Sequence, residues 1–282
     1  LAPVPADGDP RPIGVFDSGV GGLTVLSELR RRLPHEATVY LGDNARTPYG
    51  PRPADEVRRF TLACVSWLLA KDVKLLLVAC NTATSHALPL VRAMAPVPVL
   101  GVVRPGAVAA AASSRAGHVG VIATAGTVAS GAYPAAIGEA DARLTVTQQA
   151  CPDLVPLVEA GHLEGPQTDA SVRGYLGELF RQDPEIDTLL LGCTHYPLLR
   201  PVIERVVGPS IAVVDSAFTT ALAAEDLLDA LGARAPKASS EGSLGERHRV
   251  ATTGEVGAFS AIARQLFGDS MPRVEAASIA AD

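Results

Sequence analysis

The chain has 282 residues, 48% of them hydrophobic and only 4% aromatic, and carries a formal net charge of -6. That is enough for one large domain or two smaller ones, with cores packed mainly by Leu, Val and Ala. There is no dense Lys/Arg block to mark a nucleic-acid or anionic-membrane partner, no apolar stretch of transmembrane length, and the 4 cysteines (Cys64, Cys80, Cys151, Cys193) are too few for a disulfide scaffold.

The first segment, residues 1–12, is Pro-rich and polar, without the charged start and apolar middle of a secretory signal. A flexible leader and reduced thiols are expected, and with them a cytoplasmic protein. Residues 13–16 then read as a strand, followed by the glycine-rich Asp17-Ser18-Gly19-Val20-Gly21-Gly22 and a helix over 23–33. Next come a strand over 38–41, a loop over 42–50 and a helix over 55–70 with Phe60, Cys64, Trp67 and Leu68 on one face. Strands over 75–79 and 97–102 follow, and then 119–124, 189–192 and 211–214. The tail offers a loop of small polar residues over 235–247, a strand over 248–252, a helix over 255–267, and fraying from Gly268 onward.

Alternation of this kind implies an α/β fold of parallel strands and crossover helices. The order also repeats. Residues 13–19 resemble 119–124, the run ending in Cys80 resembles the run ending in Cys193, and 97–100 resemble 211–214, all at nearly constant separation. An internal duplication gives two pseudo-symmetric parallel-sheet domains with helices on both faces and a cleft between them, a favoured place for a ligand.

Each duplicated apolar run ends in cysteine and then turns polar, as Cys80-Asn81-Thr82 and Cys193-Thr194-His195. Ligands of open α/β sheets sit at such strand ends. One thiol from each half suggests a similar group on either side of one substrate, which inversion of a stereocentre requires. His195 can share a proton with its neighbouring thiol. A Cys-His hydrolase is an open alternative, although it leaves Cys80 without a role. Asp17 reads as a base, a base's partner or a helix cap. The glycine-rich turn fits a small carboxylate or a phosphate, so a small-anion binding protein also stays open. Its spacing is not that of a dinucleotide fingerprint. No second Cys or His pair completes a metal site. Lys71 and Lys74 lie on the N-terminal side of a strand and Lys237 in a loop, so none suits a pyridoxal phosphate Schiff base. No cofactor is expected. His86, His118, His162 and His248 read as structural or surface residues.

The segments DSGVGGLTV (17–25), GDNARTPYG (42–50), ACNTA (79–83), GVVRPGA (101–107), GTVASGAY (126–133), ACPDLVPLVEAG (150–161), LGCTHYPLL (191–199), VDSA (214–217) and TTG (252–254) are together informative. Through them the chain resembles the glutamate racemases of the cofactor-independent aspartate/glutamate racemase superfamily over nearly its whole length. The resemblance implies a first α/β domain of residues 1–100 plus 212–282 and a second of residues 101–211. It implies Cys80 and Cys193 as the two acid/base residues, with Asp17 and His195 assisting. Asp17, Ser18, Pro48, Tyr49, Gly50, Asn81, Thr82, Thr194 and His195 would hold the substrate, and Glu159 and Thr124 would support them. It further implies glutamate as the small-molecule partner and D-glutamate supply for peptidoglycan as the role. A racemase of aspartate or a related amino acid is the nearest alternative, and a homodimer is compatible with all of these. Arg104, beside Pro105 in an expected loop, has no role in this reading.

Overall fold

The run Leu75–Val78 (β3) is LLLV, buried at every position, as is Ile13–Asp17 (β1) beside it. Strands covered on both faces carry consecutive apolar residues, because neither face meets water. The computed structural model describes residues 8–236, 247–268 and 271–279. The leader's residues 1–7 and most of the expected small-residue loop, 237–246, lie outside them.

The first half runs β1, α1 (Leu23–Arg32), β2 (Thr38–Gly42), α2 (Ala54–Leu69), β3, α3 (Asn81–Met94), β4 (Val99–Gly101) and α4 (Val103–Ser113). The second runs β5 (His118–Ala123), α5 (Ala125–Ser130), α6 (Ala132–Ala140), β6 (Thr145–Ala150), α7 (Leu154–Glu159), α8 (Pro166–Gln182), β7 (Thr188–Gly192), α9 (Arg200–Val207), β8 (Ala212–Asp215) and α10 (Ser216–Ala230). The tail adds β9 (His248–Thr252), α11 (Val256–Phe267) and β10 (Val274–Ala276). Among the described residues the strands form one sheet ordered β10-β9-β2-β1-β3-β4 and another ordered β6-β5-β7-β8. Every pairing is parallel. The order β2-β1-β3-β4 recurs as β6-β5-β7-β8, so the duplicated sequence pairs occupy matching places.

Three expectations need correction. β8 lies beyond the boundary expected at residues 211 and 212, yet it pairs with β7, Val213 opposite Leu189 and Val214 opposite Leu190. The chain leaves the second sheet only after this strand, when α10 packs on α1 and α4. The tail past Gly268 does not simply fray: Val274–Ala276 pairs with Val250–Thr252 and buries Val274. Arg104 sits in the first turn of α4 rather than in a loop. Pro105 is tolerated there because first-turn N–H groups have no intrahelical partner to lose. No helix among the described residues is long and apolar enough to cross a membrane.

Candidate active site

In both sheets the strand order reverses around the first strand, which creates a switch point at the C-terminal ends of β1 and β3, and again at those of β5 and β7. Cys193 follows β7 directly, and Cys80 follows β3 after Ala79. Both are buried, at 5% and 6% exposure, so the cleft is closed over them.

Cys80 caps α3: its backbone is extended, and its Sγ accepts a hydrogen bond from Ala83 N at 3.4 Å. The thiol in turn donates to Ser18 Oγ at 3.3 Å. Burial pushes the Cys80 thiol up to about 12, with the charge of Asp17 adding to the rise and the hydrogen bonds with Ser18 and Ala83 opposing it. A helix N-terminus normally favours a thiolate, but here loss of water outweighs it.

The surroundings of Cys193 differ in kind. Its Sγ lies 3.7 Å from His195 Nδ1, and the other ring nitrogen, Nε2, lies 2.7 Å from Glu159 Oε1. Burial works against the imidazolium, but the hydrogen bonds to Cys193 and Glu159 prevail and hold His195 well above the usual histidine range. A doubly protonated ring can donate from both nitrogens. Glu159, at the end of α7, is held below the usual range despite burial, chiefly by the hydrogen bond and charge of His195 and further by bonds accepted from Val20 N at 3.1 Å and Asn44 Nδ2 at 3.2 Å.

Asp17 joins the two environments from the tip of β1. One carboxylate oxygen accepts from Gly19 N at 2.9 Å and the other from Thr194 Oγ1 at 3.2 Å. Its burial raises its own pKa, against the opposing charge of His195. Asp17 therefore shapes the glycine-rich turn and fixes Thr194. The turn must be glycine where it meets the second half, since a Cβ on Gly21 would lie 2.4 Å from His195 Nδ1 and one on Gly19 would lie 2.2 Å from Glu159 Oε1.

On the opposite side three hydroxyls knit the halves together. Thr82 Oγ1 lies 2.9 Å from Thr124 Oγ1 and 3.3 Å from Thr127 Oγ1, and the last two are 3.0 Å apart. Thr124 caps α5 as Cys80 caps α3. Gly50 touches this cluster, since a Cβ there would lie 2.8 Å from Thr124 Cβ, and its carbonyl accepts from Gly126 N at 2.9 Å. His86 adds another bridge, with Nε2 at 3.0 Å from Gly126 O. Asn81 reaches across to Tyr133, Nδ2 to Oη at 2.6 Å.

The structure thus gathers Asp17, Ser18, Cys80, Asn81, Thr82, Thr124, Glu159, Cys193, Thr194 and His195 around the closed cleft. Pro48 is half-buried in the adjoining loop, after a cis bond from Thr47. The ring of Tyr49 packs between Phe16 and Phe60 and its hydroxyl donates to Asp43, so the phenol is held in the core. Thr127, Tyr133 and Asn44 were not singled out from the sequence. The first two lie in GTVASGAY, a segment that marked the resemblance without assigning roles within it.

Residues 17–224 match the family model described as Asp/Glu/hydantoin racemase. The glutamate racemase of Shouchella clausii is 49% identical over 253 residues, covering 90% of this chain and 89% of that protein. That of Lactiplantibacillus plantarum is 45% identical over 259 residues, covering 91% and 92%. Among solved structures, glutamate racemase isoform RacE1 of Bacillus anthracis superposes with a TM-score of 0.88 at 40% identity, over 95% of this chain and 97% of that one. The Francisella tularensis glutamate racemase, solved in complex with D-glutamate, superposes with a TM-score of 0.84 at 30% identity, over 96% and 98%. Duplicated sheets, a thiol at each switch point and similarity along nearly the whole length agree, and the chain belongs to the Asp/Glu/hydantoin racemase family.

Proposed function

We propose that the protein interconverts L- and D-glutamate by passing the α-proton between Cys80 and Cys193, without an added cofactor. The observation that carries this reading is the placement of two buried thiols at matching strand ends of two facing halves. One thiolate removes the proton from one face of Cα. The electron pair left on carbon is delocalised into the α-carboxylate. The opposite thiol then gives its proton to the other face. After one turnover the two sulfurs have exchanged protonation states, and the reverse reaction restores them.

The resting assignment follows from the surroundings. Cys80 keeps its proton, since burial and Asp17 hold its thiol up to about 12. His195 places a cation beside Cys193, a partner for negative charge on that sulfur. Removing an α-proton is hard for a thiolate, so charge developing on the carboxylate needs preorganised donors in a water-poor cleft. Ser18, Thr82 and Thr194 supply hydroxyl donors, Asn81 orients the substrate, and Glu159 and Asp17 hold the groups that touch it. The relatives' names support glutamate as substrate. In the cell this reading assigns the protein to the cytoplasm, supplying D-glutamate for peptidoglycan.

The test is polarimetry from both enantiomers, with purified protein, reductant and no cofactor. Decay to zero rotation from either side is expected, abolished in Cys80→Ala and in Cys193→Ala. Normal racemisation by Cys80→Ala in both directions would refute the two-thiol assignment. Inactivity of folded, reduced wild type on glutamate with turnover of aspartate would move the substrate to the nearest alternative.

A further inference from the structure

We infer that Asn44, anchored by Thr252 of the tail, is a positioning residue that holds the carboxylate plane of Glu159 and, through it, the His195 imidazole beside Cys193. The inference rests on the racemase reading for the role of Cys193 and adds two residues to it. Four hydrogen bonds carry it. Gly254 N donates to Thr252 Oγ1 at 3.1 Å, Thr252 Oγ1 donates to Asn44 Oδ1 at 3.2 Å, and Asn44 Nδ2 donates to Glu159 Oε2 at 3.2 Å. The other carboxylate oxygen, Oε1, takes His195 Nε2 at 2.7 Å.

The direction of this chain is set at both ends. A backbone N–H can only donate, and an ionised carboxylate can only accept. Reversing the Asn44 amide would bring its carbonyl oxygen against Glu159, acceptor against acceptor. The Thr252 hydroxyl accepts from Gly254 and keeps its own proton for Asn44 Oδ1. The last torsion of a glutamate is broad, so the carboxylate plane can turn unless both oxygens are held. Val20 N at 3.1 Å shares Oε1 with His195, and Asn44 is the partner of Oε2 among the described residues. Packing supports the same contact. A Cβ on Gly254 would lie 2.6 Å from Asn44 Cβ, so the tail turn sits directly on Asn44. Thr253 Oγ1 grips the residues on either side, donating to Asp43 Oδ1 at 2.7 Å and accepting from Ala45 N at 3.1 Å. Asn44 and Thr252 belong to the half built on the first sheet, Glu159 and His195 to the half built on the second, so the chain runs from one half to the other. The titratable groups facing Glu159 are His195, Asp17 and Tyr40, and all three stay in place in the substitutions at Asn44 and Thr252.

Asn44→Leu keeps the volume and removes the donor. For both enantiomers kcat/KM should fall about tenfold, the loss of one long hydrogen bond to a charged group. In a Glu159→Ala background the same substitution should add less than about twofold, because the carboxylate it would hold is gone. A tenfold loss in both backgrounds marks a merely structural role and overturns the inference, as does an unchanged kcat/KM in the first. Thr252→Val keeps the outline of a buried side chain and should cost about threefold, an effect that disappears in the Asn44→Leu background. Equal costs in both backgrounds would overturn the anchoring by the tail. With no donor on Oε2 the anion is less favoured, so Glu159 should keep its proton to higher pH. In protein labelled with 15N-histidine, the step in the His195 ring resonances where Glu159 ionises should move up by about one pH unit in Asn44→Leu. A step that stays in place overturns the inference. This titration needs no turnover, so a wild type that fails to racemise glutamate would sink the proposed function while the step still decides the role of Asn44.

Discussion

Glu159→Gln separates charge from shape at the site. Glu159 Oε1 takes His195 Nε2 at 2.7 Å and Val20 N at 3.1 Å. Its side chain is 17% exposed and that of His195 only 3%, so the pair is poorly screened. Glutamine keeps the outline and an acceptor for His195 and Val20, removes the charge, and gives up only the weaker bond from Asn44 Nδ2 at 3.2 Å. A hydrogen bond to a charged group is worth ~1.5–3 kcal/mol against ~0.5–1.5 for a neutral one, a difference of about one pKa unit. Taking an anion from beside the imidazolium lowers the His195 pKa, so the ring loses its proton at lower pH. The basic limb of kcat/KM against pH should move toward acid by about one unit. Because thiol and imidazole interact, that limb belongs to the pair and not to one residue.

Stability gives an independent reading with its own sign. His195 is raised in the folded state, so its contribution is complete below the usual 6.5 and is lost as pH rises through its raised value. Glu159 is lowered, so its contribution is complete above the usual 4.5 and is lost as pH falls through its lowered value. The variant should therefore melt furthest below wild type between these two values, and the gap should shrink in alkali. A basic limb that stays in place, or moves toward higher pH, would refute the role assigned to Glu159.

Two other substitutions probe the frame around the site. Gly21→Ala would set a methyl 2.4 Å from His195 Nδ1 and 2.7 Å from Thr194 Oγ1. Displacing these groups should lower kcat/KM by about 10²-fold with far-UV circular dichroism unchanged, and wild-type activity would show that the turn yields freely. Far from the thiols, Lys74 and Glu36 form a buried pair at 2.6 Å, and Lys74 Nζ also donates to Asp9 O and Ala233 O. Lys74→Met leaves the Glu36 charge unpaired and should cost about 3–5 kcal/mol in urea titration. Adding Glu36→Leu should recover part of it, with kcat unchanged in the folded fraction. A double variant less stable than the single would contradict this account.

The strand ends were legible because parallel strands buried on both faces leave one signature, an apolar run that turns polar where it meets the ligand side. Cys80 and Cys193 stood out at that transition. The repeat already matched 211–214 to 97–100, and β8 does pair with β7 in the second sheet, so the repeat located this strand better than the domain boundary taken from the resemblance. The inward packing of the Tyr49 ring was not legible, because a loop motif shows which residues are near a site and not which way each side chain points. β10 consists of three residues that acquire meaning only from the free edge of β9. Glu159 and His195 lie on separate elements and meet only through folding, and so do Asn81 and Tyr133. Such partnerships carry no local pattern, and the resemblance reached Glu159 but passed over Tyr133.

The two halves share a frame and differ in charge, and thermodynamics limits what that difference can do. Cys80 has Ser18 and a helix N-terminus beside it, whereas Cys193 has an imidazole tied to a carboxylate. In the proposed two-thiol mechanism one sulfur is therefore favoured as the acid and the other as the base at rest, and kcat and KM need not match between the two directions. Enantiomers have equal free energies in water, however, so the equilibrium constant is one. The ratio kcat/KM must then be equal for L- and D-glutamate in the wild type and in every variant. Glu159→Gln acts beside only one of the thiols, yet it must lower kcat/KM by the same factor from both sides. What the asymmetry can change is how that loss divides between kcat and KM in each direction. A substitution near Cys193 should alter that division differently from one near Cys80, and this contrast would reveal which sulfur carries the proton in the resting enzyme.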